Sequence, residues 1–225
     1  MHKVNLIHVT PEAEQLVAYM ARVSNPSNQG VLPQEGSPQD NPDATGLIRY
    51  LIKHKHWSPF EMVNMCVSIE TTRSIAAQIL RHRSFSFQEF SQRYASVTAK
   101  PAELAVRRQD TKNRQNSIDN MPYETAREFK NKASMVYDLS YKLYEEMLAA
   151  GVAKECAREV LPLSSPTKLY MNGTIRSWLH YCDLRCDNGT QYEHKMIAEQ
   201  VKTLLAGVVP SIYDAMWTHA DSGVR

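Results

Sequence analysis

The run Arg81-His82-Arg83-Ser84-Phe85-Ser86-Phe87-Gln88-Glu89-Phe90-Ser91-Gln92-Arg93-Tyr94 concentrates groups suited to an anionic molecule with hydroxyls and a planar ring. Arginine forks grip phosphate through paired, charge-assisted hydrogen bonds. Serine hydroxyls, Gln88 and Glu89 can bond sugar hydroxyls or base edges. Phe85, Phe87, Phe90 and Tyr94 offer faces for stacking. The chemistry these residues suit is nucleotide binding. The competing interpretation gives Arg81 and Arg83 to a helix end, where they offset its dipole, and the aromatics to the core.

A second candidate is Arg185. At about 100° per residue, Ile175, Trp178, Leu179, Cys182 and Cys186 form an apolar stripe, and Arg176, His180, Asp183 and Asp187 a polar face. Arg185 falls beside Trp178, at the stripe's edge. A charge is costly there unless paired, which suits a pocket with an anionic partner; a stem snorkelling along apolar surface is the alternative. Cys182 and Cys186 read as core thiols. His54, His56 and His82 make a weak zinc signature, because no cysteine joins the His-x-His pair, and no metal is expected. The run Arg107 to Arg114 reads as a solvated loop.

These side chains need elements to hold them. Val4 to Val9 predicts a strand, and Pro11 opens a helix to about Arg22. Ser24 to Pro42 is a loop, and Asp43 caps a helix through Leu47, Ile48, Leu51 and Ile52 that Trp57-Ser58-Pro59-Phe60-Glu61 follows. Val63, Met65, Val67 and Ile69 alternate with polar residues, the period of a strand with one buried face. Thr71 or Thr72 caps a helix whose apolar residues are Ile75, Ala76, Ile79 and Leu80. Residues 84–121 look irregular, with one strand near Phe87 to Tyr94. Residues 124–149 predict the clearest helix, with Phe129, Ala133, Val136, Leu143 and Met147 at three- and four-residue spacing. A short helix near Lys154 to Val160, a strand at Thr167 to Asn172, a helix at Thr174 to Asp187, one at Gln191 to Leu205 and one from Pro210 complete the chain. The expectation is an α/β fold of the α+β type: a small antiparallel or mixed sheet surrounded by helices, in one domain over 1–225.

The 225 residues are 43% hydrophobic and 22% charged, which excludes disorder, collagen and coiled coil as the main character. No apolar run is long enough to cross a membrane, and Met1 to Asn5 starts no signal-peptide core, so the expected location is the cytoplasm with Cys66, Cys156, Cys182 and Cys186 reduced. Net charge is +2, but residues 81–114 hold eight basic against three acidic side chains, a local +5 that leaves −3 elsewhere. A local positive field in a near-neutral chain suits an anionic small molecule better than a nucleic-acid track.

Arg81-His82-Arg83, then seven residues, then Ser91, resembles the signature of the flavin-dependent thymidylate synthases. Ala21-Arg22-Val23-Ser24, His54 to Glu61, Ala157-Arg158-Glu159-Val160-Leu161-Pro162, and Arg176-Ser177-Trp178 through Leu184-Arg185 to Gln191-Tyr192-Glu193 resemble further family segments in the same order. The resemblance implies an enzyme that makes dTMP from dUMP, with methylenetetrahydrofolate as carbon donor, NADPH as reductant and FAD as hydride carrier. It implies a homotetramer with shared active sites. Arg81, His82 and Arg83 are expected to face FAD, with the arginines near its phosphates or the nucleotide's. Ser24, His56, Ser58, Glu61 and Glu89 are also implied on the flavin side, and His180 near flavin and folate. Gln78, Arg81, Glu89, Phe90, Ser91, Gln92, Arg93 and Arg158 are implied to bind dUMP. Arg185 is implied to contact the uracil ring and stabilise negative charge developing there.

Two positions depart from the family pattern. Gly189 and Thr190 stand where relatives commonly have His and Ala, which leaves the local contact to Asn188, Gln191 or a ligand atom. Gln92 stands where some members have Gly. The alternative of another class is a nucleotide- or RNA-binding module built on residues 81–94.

Overall fold

The computed structural model describes residues 2–33, 44–101 and 103–218; Asp43 lies outside them. Strand β1 (Lys3–Val9) leads to helix α1 (Ala13–Ala21). The helix does not start at Pro11: Glu12 takes a left-handed conformation (φ 50°) and turns the chain first. Helix α2 (Ala44–Lys53) buries Ile48 and Leu51, and a 3₁₀ turn (Ser58–Glu61) follows with Pro59 in its first turn. Strand β2 (Asn64–Thr72) runs into α3 (Arg73–Ile79), capped as expected by Thr72, whose Oγ1 accepts from the N–H of Ile75.

Strand β3 (Ser86–Glu89) is shorter than the sequence suggests, ending where the backbone turns at Ser91 to Ala95. A two-residue ladder, β4 (Arg108–Gln109) with β5 (Ser117–Ile118), precedes the long α4 (Tyr123–Ala149). Then come α5 (Lys154–Ala157), β6 (Pro166–Thr174), α6 (Ile175–Arg185), α7 (Tyr192–Val208) and α8 (Pro210–Tyr213).

The main sheet has order β1-β2-β6-β3, and every pairing is antiparallel. Its core face is set by register: Val67 opposes Met171 and Ile69 opposes Leu169, all fully buried. Helices α1, α2, α3, α6, α7 and α8 cover this core. Gln200 of α7 holds the edge strand β1, accepting from the Val4 N–H (3.0 Å) and donating to the His2 carbonyl (3.2 Å).

Met65 opposes Gly173, where a Cβ would lie 2.4 Å from the Phe85 ring. The missing side chain lets Phe85 pack edge-on against Trp178 at 4.6 Å, and so holds the segment after Arg83 against α6.

Helix α4 forms as its periodicity predicts, but its apolar stripe is not buried by this chain: Phe129, Val136 and Leu143 remain exposed, with Met135 and Leu139. Its buried anchors are Tyr141 and Tyr144, which form a separate small core with Val97 and Ala157. The Tyr144 hydroxyl accepts from the Val97 N–H at 3.1 Å, and the Tyr141 hydroxyl donates to the Ala99 carbonyl at 2.8 Å. Of the apolar residues of α3 and its C-terminal end, Ile75, Ala76 and Ile79 are buried and Leu80 is exposed.

Candidate active site

Helix α6 starts at Thr174, whose hydroxyl accepts from the Ser177 N–H. Its apolar stripe is buried at Ile175, Trp178, Leu179 and Cys182, as the wheel predicts; Tyr181 is buried too, which the wheel did not reveal. The buried cluster needs the Tyr181 hydroxyl because it faces His194 of α7, at 3.2 Å from Nε2. His194 is fully buried and its Nδ1 has no hydrogen-bond partner among the described residues.

Arg185, on the last turn of α6, donates from Nε to His82 Nε2 at 3.0 Å across 103 residues of sequence. Because that nitrogen accepts, the ring proton of His82 sits on Nδ1. The His82 ring packs edge-on against Tyr181 at 5.0 Å. Burial, then the Arg185 charge and His180, hold the pKa of His82 down to about 4. Burial, then Arg185 and His82, hold that of His194 down to about 3. Both imidazoles are neutral near pH 7. No ion pair of Arg185 with a carboxylate forms among the described residues, so its charge is held by a neutral partner.

A cavity of about 450 Å³ opens along α6, lined by Glu61, Ser84, Arg176, His180 and Asp183 among others but by none of Arg185, His82, Tyr181 and His194. Glu61 pairs with Arg176. His56 and Ser58 lie exposed in the adjacent turn, and Arg81 and Arg83 are exposed at the end of α3. Ser24 is exposed after α1 and lines none of this cavity.

The remaining candidates divide. Gln78 donates from Nε2 to Gln191 Oε1 at 2.6 Å. Glu89 accepts from Arg73 at 2.8 Å and from the Thr167 hydroxyl at 2.9 Å, so its carboxylate is anchored at the sheet margin. Arg73 was not singled out from the sequence; its place at the start of α3, sixteen residues before Glu89, carries no local pattern. Arg93 pairs with Glu155 of α5 (2.9 Å), and Lys154 donates to the Tyr94 carbonyl (2.9 Å), docking the turn after β3 onto α5. Arg158, one turn on, lies 3.5 Å from Glu159. Ser91 is exposed, and Gln92 is buried with its Nε2 unpartnered among the described residues. Phe90 lines a different cavity of about 700 Å³ with Thr167 and Lys168. One chain therefore gathers His82, His180 and Arg185 at α6, and Ser91, Arg93 and Arg158 around α5. Of these six, only His180 lines either cavity.

The expectation of a solvated run from Arg107 fails at its first residue. Arg107 is largely buried and pairs with Glu193 at 2.6 Å. Among the described residues no three His, Cys, Asp or Glu side chains converge as a metal-binding group, and no helix is long and apolar enough to cross a membrane.

Residues 5–211 match the family model described as thymidylate synthase complementing protein, Thy1. The chain is 50% identical over 204 residues to a probable flavin-dependent thymidylate synthase of Paramecium bursaria Chlorella virus 1, covering 91% of this chain and 90% of that one. It is 49% identical over 203 residues to the flavin-dependent thymidylate synthase of Synechocystis sp., covering 90% and 89%. Its fold matches the crystal structure of a UMP/dUMP methylase, PolB, from Streptomyces cacaoi bound with 5-Br dUMP, with a TM-score of 0.82 at 27% identity over 97% of this chain and 95% of that one. A family model spanning nearly the whole chain, with two relatives near half identity, makes this chain a member of the thymidylate synthase complementing (Thy1) family.

Proposed function

We propose that this protein is a flavin-dependent thymidylate synthase that converts dUMP to dTMP, taking carbon from methylenetetrahydrofolate and reducing equivalents from NADPH through FAD. One contact carries the assignment: Arg185, which the resemblance puts on the uracil ring, is locked to His82 of the Arg-His-Arg motif. Addition at the ring pushes negative charge onto its carbonyl oxygens. A guanidinium held by a neutral imidazole keeps its full charge for that moment, in a site drier than bulk water.

The donor set fits a flavin dinucleotide. Exposed Arg81 and Arg83 suit a pyrophosphate, and His56, Ser58, Glu61 and Ser84 offer the mixed donors and acceptors a ribityl chain requires. Ser24, Glu89 and His180 complete the proposed flavin side. FAD, when bound, supplies the hydride-transfer chemistry. On the dUMP side, Arg93 and Arg158 would hold phosphate, with Ser91 and the N–H groups of 90–92, while Gln78, Arg81 and Glu89 contact the nucleoside.

The exposed stripe of α4 supports a homotetramer, and we infer that its sites draw on more than one copy. The RNA-binding alternative is not supported. Phe85 is buried against Trp178 rather than displayed for stacking. A cytoplasmic location is proposed with the reduced thiols.

The test is tritium release from 5-labelled dUMP with NADPH and methylenetetrahydrofolate present, by protein that purifies yellow. Light scattering should give four times 25.7 kDa. Colourless protein without tritium release would sink the assignment, and a monomer with FAD bound would sink the assembly.

A further inference from the structure

Arg107 and Glu193 form the ion pair with the least exposed partners among the described residues. Arg107 reaches it from the position just before β4, where its Nε donates to the hydroxyl of Ser117 in β5 at 2.9 Å and its guanidinium lies over the Tyr192 ring at 5.2 Å. The pair does not stand alone. Glu193 Oε2 accepts from Gln191 Nε2 at 3.0 Å, and Gln191 Oε1 accepts from Gln78 Nε2 at 2.6 Å. Four side chains thus run from the ladder, through the start of α7, to α3.

The relay has a direction. An ionised carboxylate only accepts. Burial works to raise the Glu193 carboxyl, but the hydrogen bonds from Arg107, its own N–H and Gln191 outweigh it and hold it low. Gln191 must therefore turn its NH₂ to Glu193 and its carbonyl to Gln78. Gln78 must answer with its own NH₂, which leaves its carbonyl oxygen pointing away from the relay, and that oxygen accepts no hydrogen bond among the described residues. We propose that Arg107 and Glu193 are positioning residues for the nucleotide subsite: their ion pair sets the polarity of Gln191, and through it presents the Gln78 carbonyl oxygen to a hydrogen-bond donor of the dUMP nucleoside. This rests on the assignment of Gln78 to dUMP made above. It also gives Gln191 a partner of its own at the segment where Gly189 replaces the family's histidine.

The experiment is a double-mutant cycle of Glu193→Gln with Gln78→Ala, read by equilibrium dUMP titration and by KM and kcat, with flavin absorbance and melting as checks on folding. A glutamine at 193 can donate or accept, so the polarity is lost while the shape stays. Glu193→Gln should raise the dUMP KM and Kd about tenfold, roughly 1.4 kcal/mol, with kcat changed less than threefold. In the Gln78→Ala background it should add less than twofold, because the group it orients is gone. Equal effects in both backgrounds, or an unchanged dUMP Kd in the parent background, overturn the relay. If Glu193→Gln does not fold, Arg107→Gln decides: without the guanidinium the largely buried Glu193 loses the cation that keeps it ionised, and a protonated carboxyl can donate, so dUMP binding should weaken severalfold in the parent and not in Gln78→Ala. Any other pattern overturns the proposal. Tritium release by the parent tests the reaction and dUMP titration of the variants tests the relay, so the two fail separately.

Discussion

Arg185 and Arg93 are both expected at the same ligand, and the fold treats them differently. Arg93 stands largely exposed and shares its charge with Glu155 at 2.9 Å. Arg185 is half-buried and donates to a neutral His82, in a cluster completed by Tyr181 and His194. A carboxylate partner compensates a cation in advance; a neutral imidazole fixes its direction and leaves the charge in place. The exposed arginine suits capture of a phosphate that arrives already charged. The inner one suits charge that appears only as the reaction proceeds.

The largest expected effect tests that division directly. Arg185→Lys keeps the charge but loses the planar fork and the Nε that His82 accepts from. It should fold and bind FAD, while dTMP formation falls on the order of a hundredfold or more, about 2.7 kcal/mol. Arg185→Ala should be worse and should also bind dUMP poorly. Flavin absorbance, dUMP titration and tritium release on the three proteins side by side decide it. Turnover of the lysine variant within about twofold of the parent, roughly 0.4 kcal/mol, would make the two arginines equivalent.

The inner cluster should also betray itself through pH. His194 has a folded pKa near 3 and an unfolded value of about 6.5. Between those values the unfolded chain binds the proton and the native one does not, so stability falls as pH is lowered through that window. Above about pH 6.5 neither state is protonated and the contribution vanishes. His194→Gln keeps a polar partner for Tyr181 but does not titrate. Its melting temperature should decline less steeply than the parent's from pH 6.5 to 4.5, His82 supplying part of the slope that remains. Parallel declines would mean that His194 is not held neutral in the native state.

Much of this was legible in the sequence, for reasons that differ by residue. The Thr72 cap, the alternation of Met65, Val67 and Ile69, and the α6 stripe are local patterns, and each reports its own element. The motif order was legible because family segments keep their spacing along the chain. The His82–Arg185 contact was not, because nothing local says which ring nitrogen meets which guanidinium nitrogen. Tyr181 and His194 were missed because polar residues that satisfy one another inside a core look like surface residues on a wheel. Arg107 was misread because a basic run carries no sign of the one carboxylate that buries its first member. The α4 helix was legible from its spacing, but spacing does not say what covers an apolar stripe, and Phe129, Val136 and Leu143 are exposed.

Packing behind the inner cluster gives a smaller effect. In Gly173→Ala the new Cβ would meet the Phe85 ring at 2.4 Å, and that ring is already held by Trp178. Overpacking of this kind costs about 1–3 kcal/mol, or several degrees in melting temperature for a chain of this size. Adding Phe85→Leu should recover part of the loss by relieving the contact. Gly173→Ala melting with the parent would show that Phe85 does not set the position of the 82–85 segment.

Ser91 gives the smallest effect and tests the outer region. Its side chain is exposed in the turn whose Tyr94 and Ala95 N–H groups bond back to its carbonyl, so the backbone shape does not depend on the hydroxyl. No His/Asp pair is recognisable around it in the sequence to act as base and orienter, so a nucleophilic role has no support. Removing one hydrogen bond to a charged ligand costs about 1.5–3 kcal/mol at most, and less where water replaces it. Ser91→Ala should weaken dUMP binding by roughly five- to tenfold, about 1 kcal/mol, and leave dTMP formation measurable at saturating dUMP. The contrast with Arg185→Lys is the point of the pair: one variant moves KM, the other kcat. Complete loss of turnover in Ser91→Ala at saturating dUMP, with FAD still bound, would move Ser91 into the chemistry and erase the boundary between a region that captures and a region that reacts.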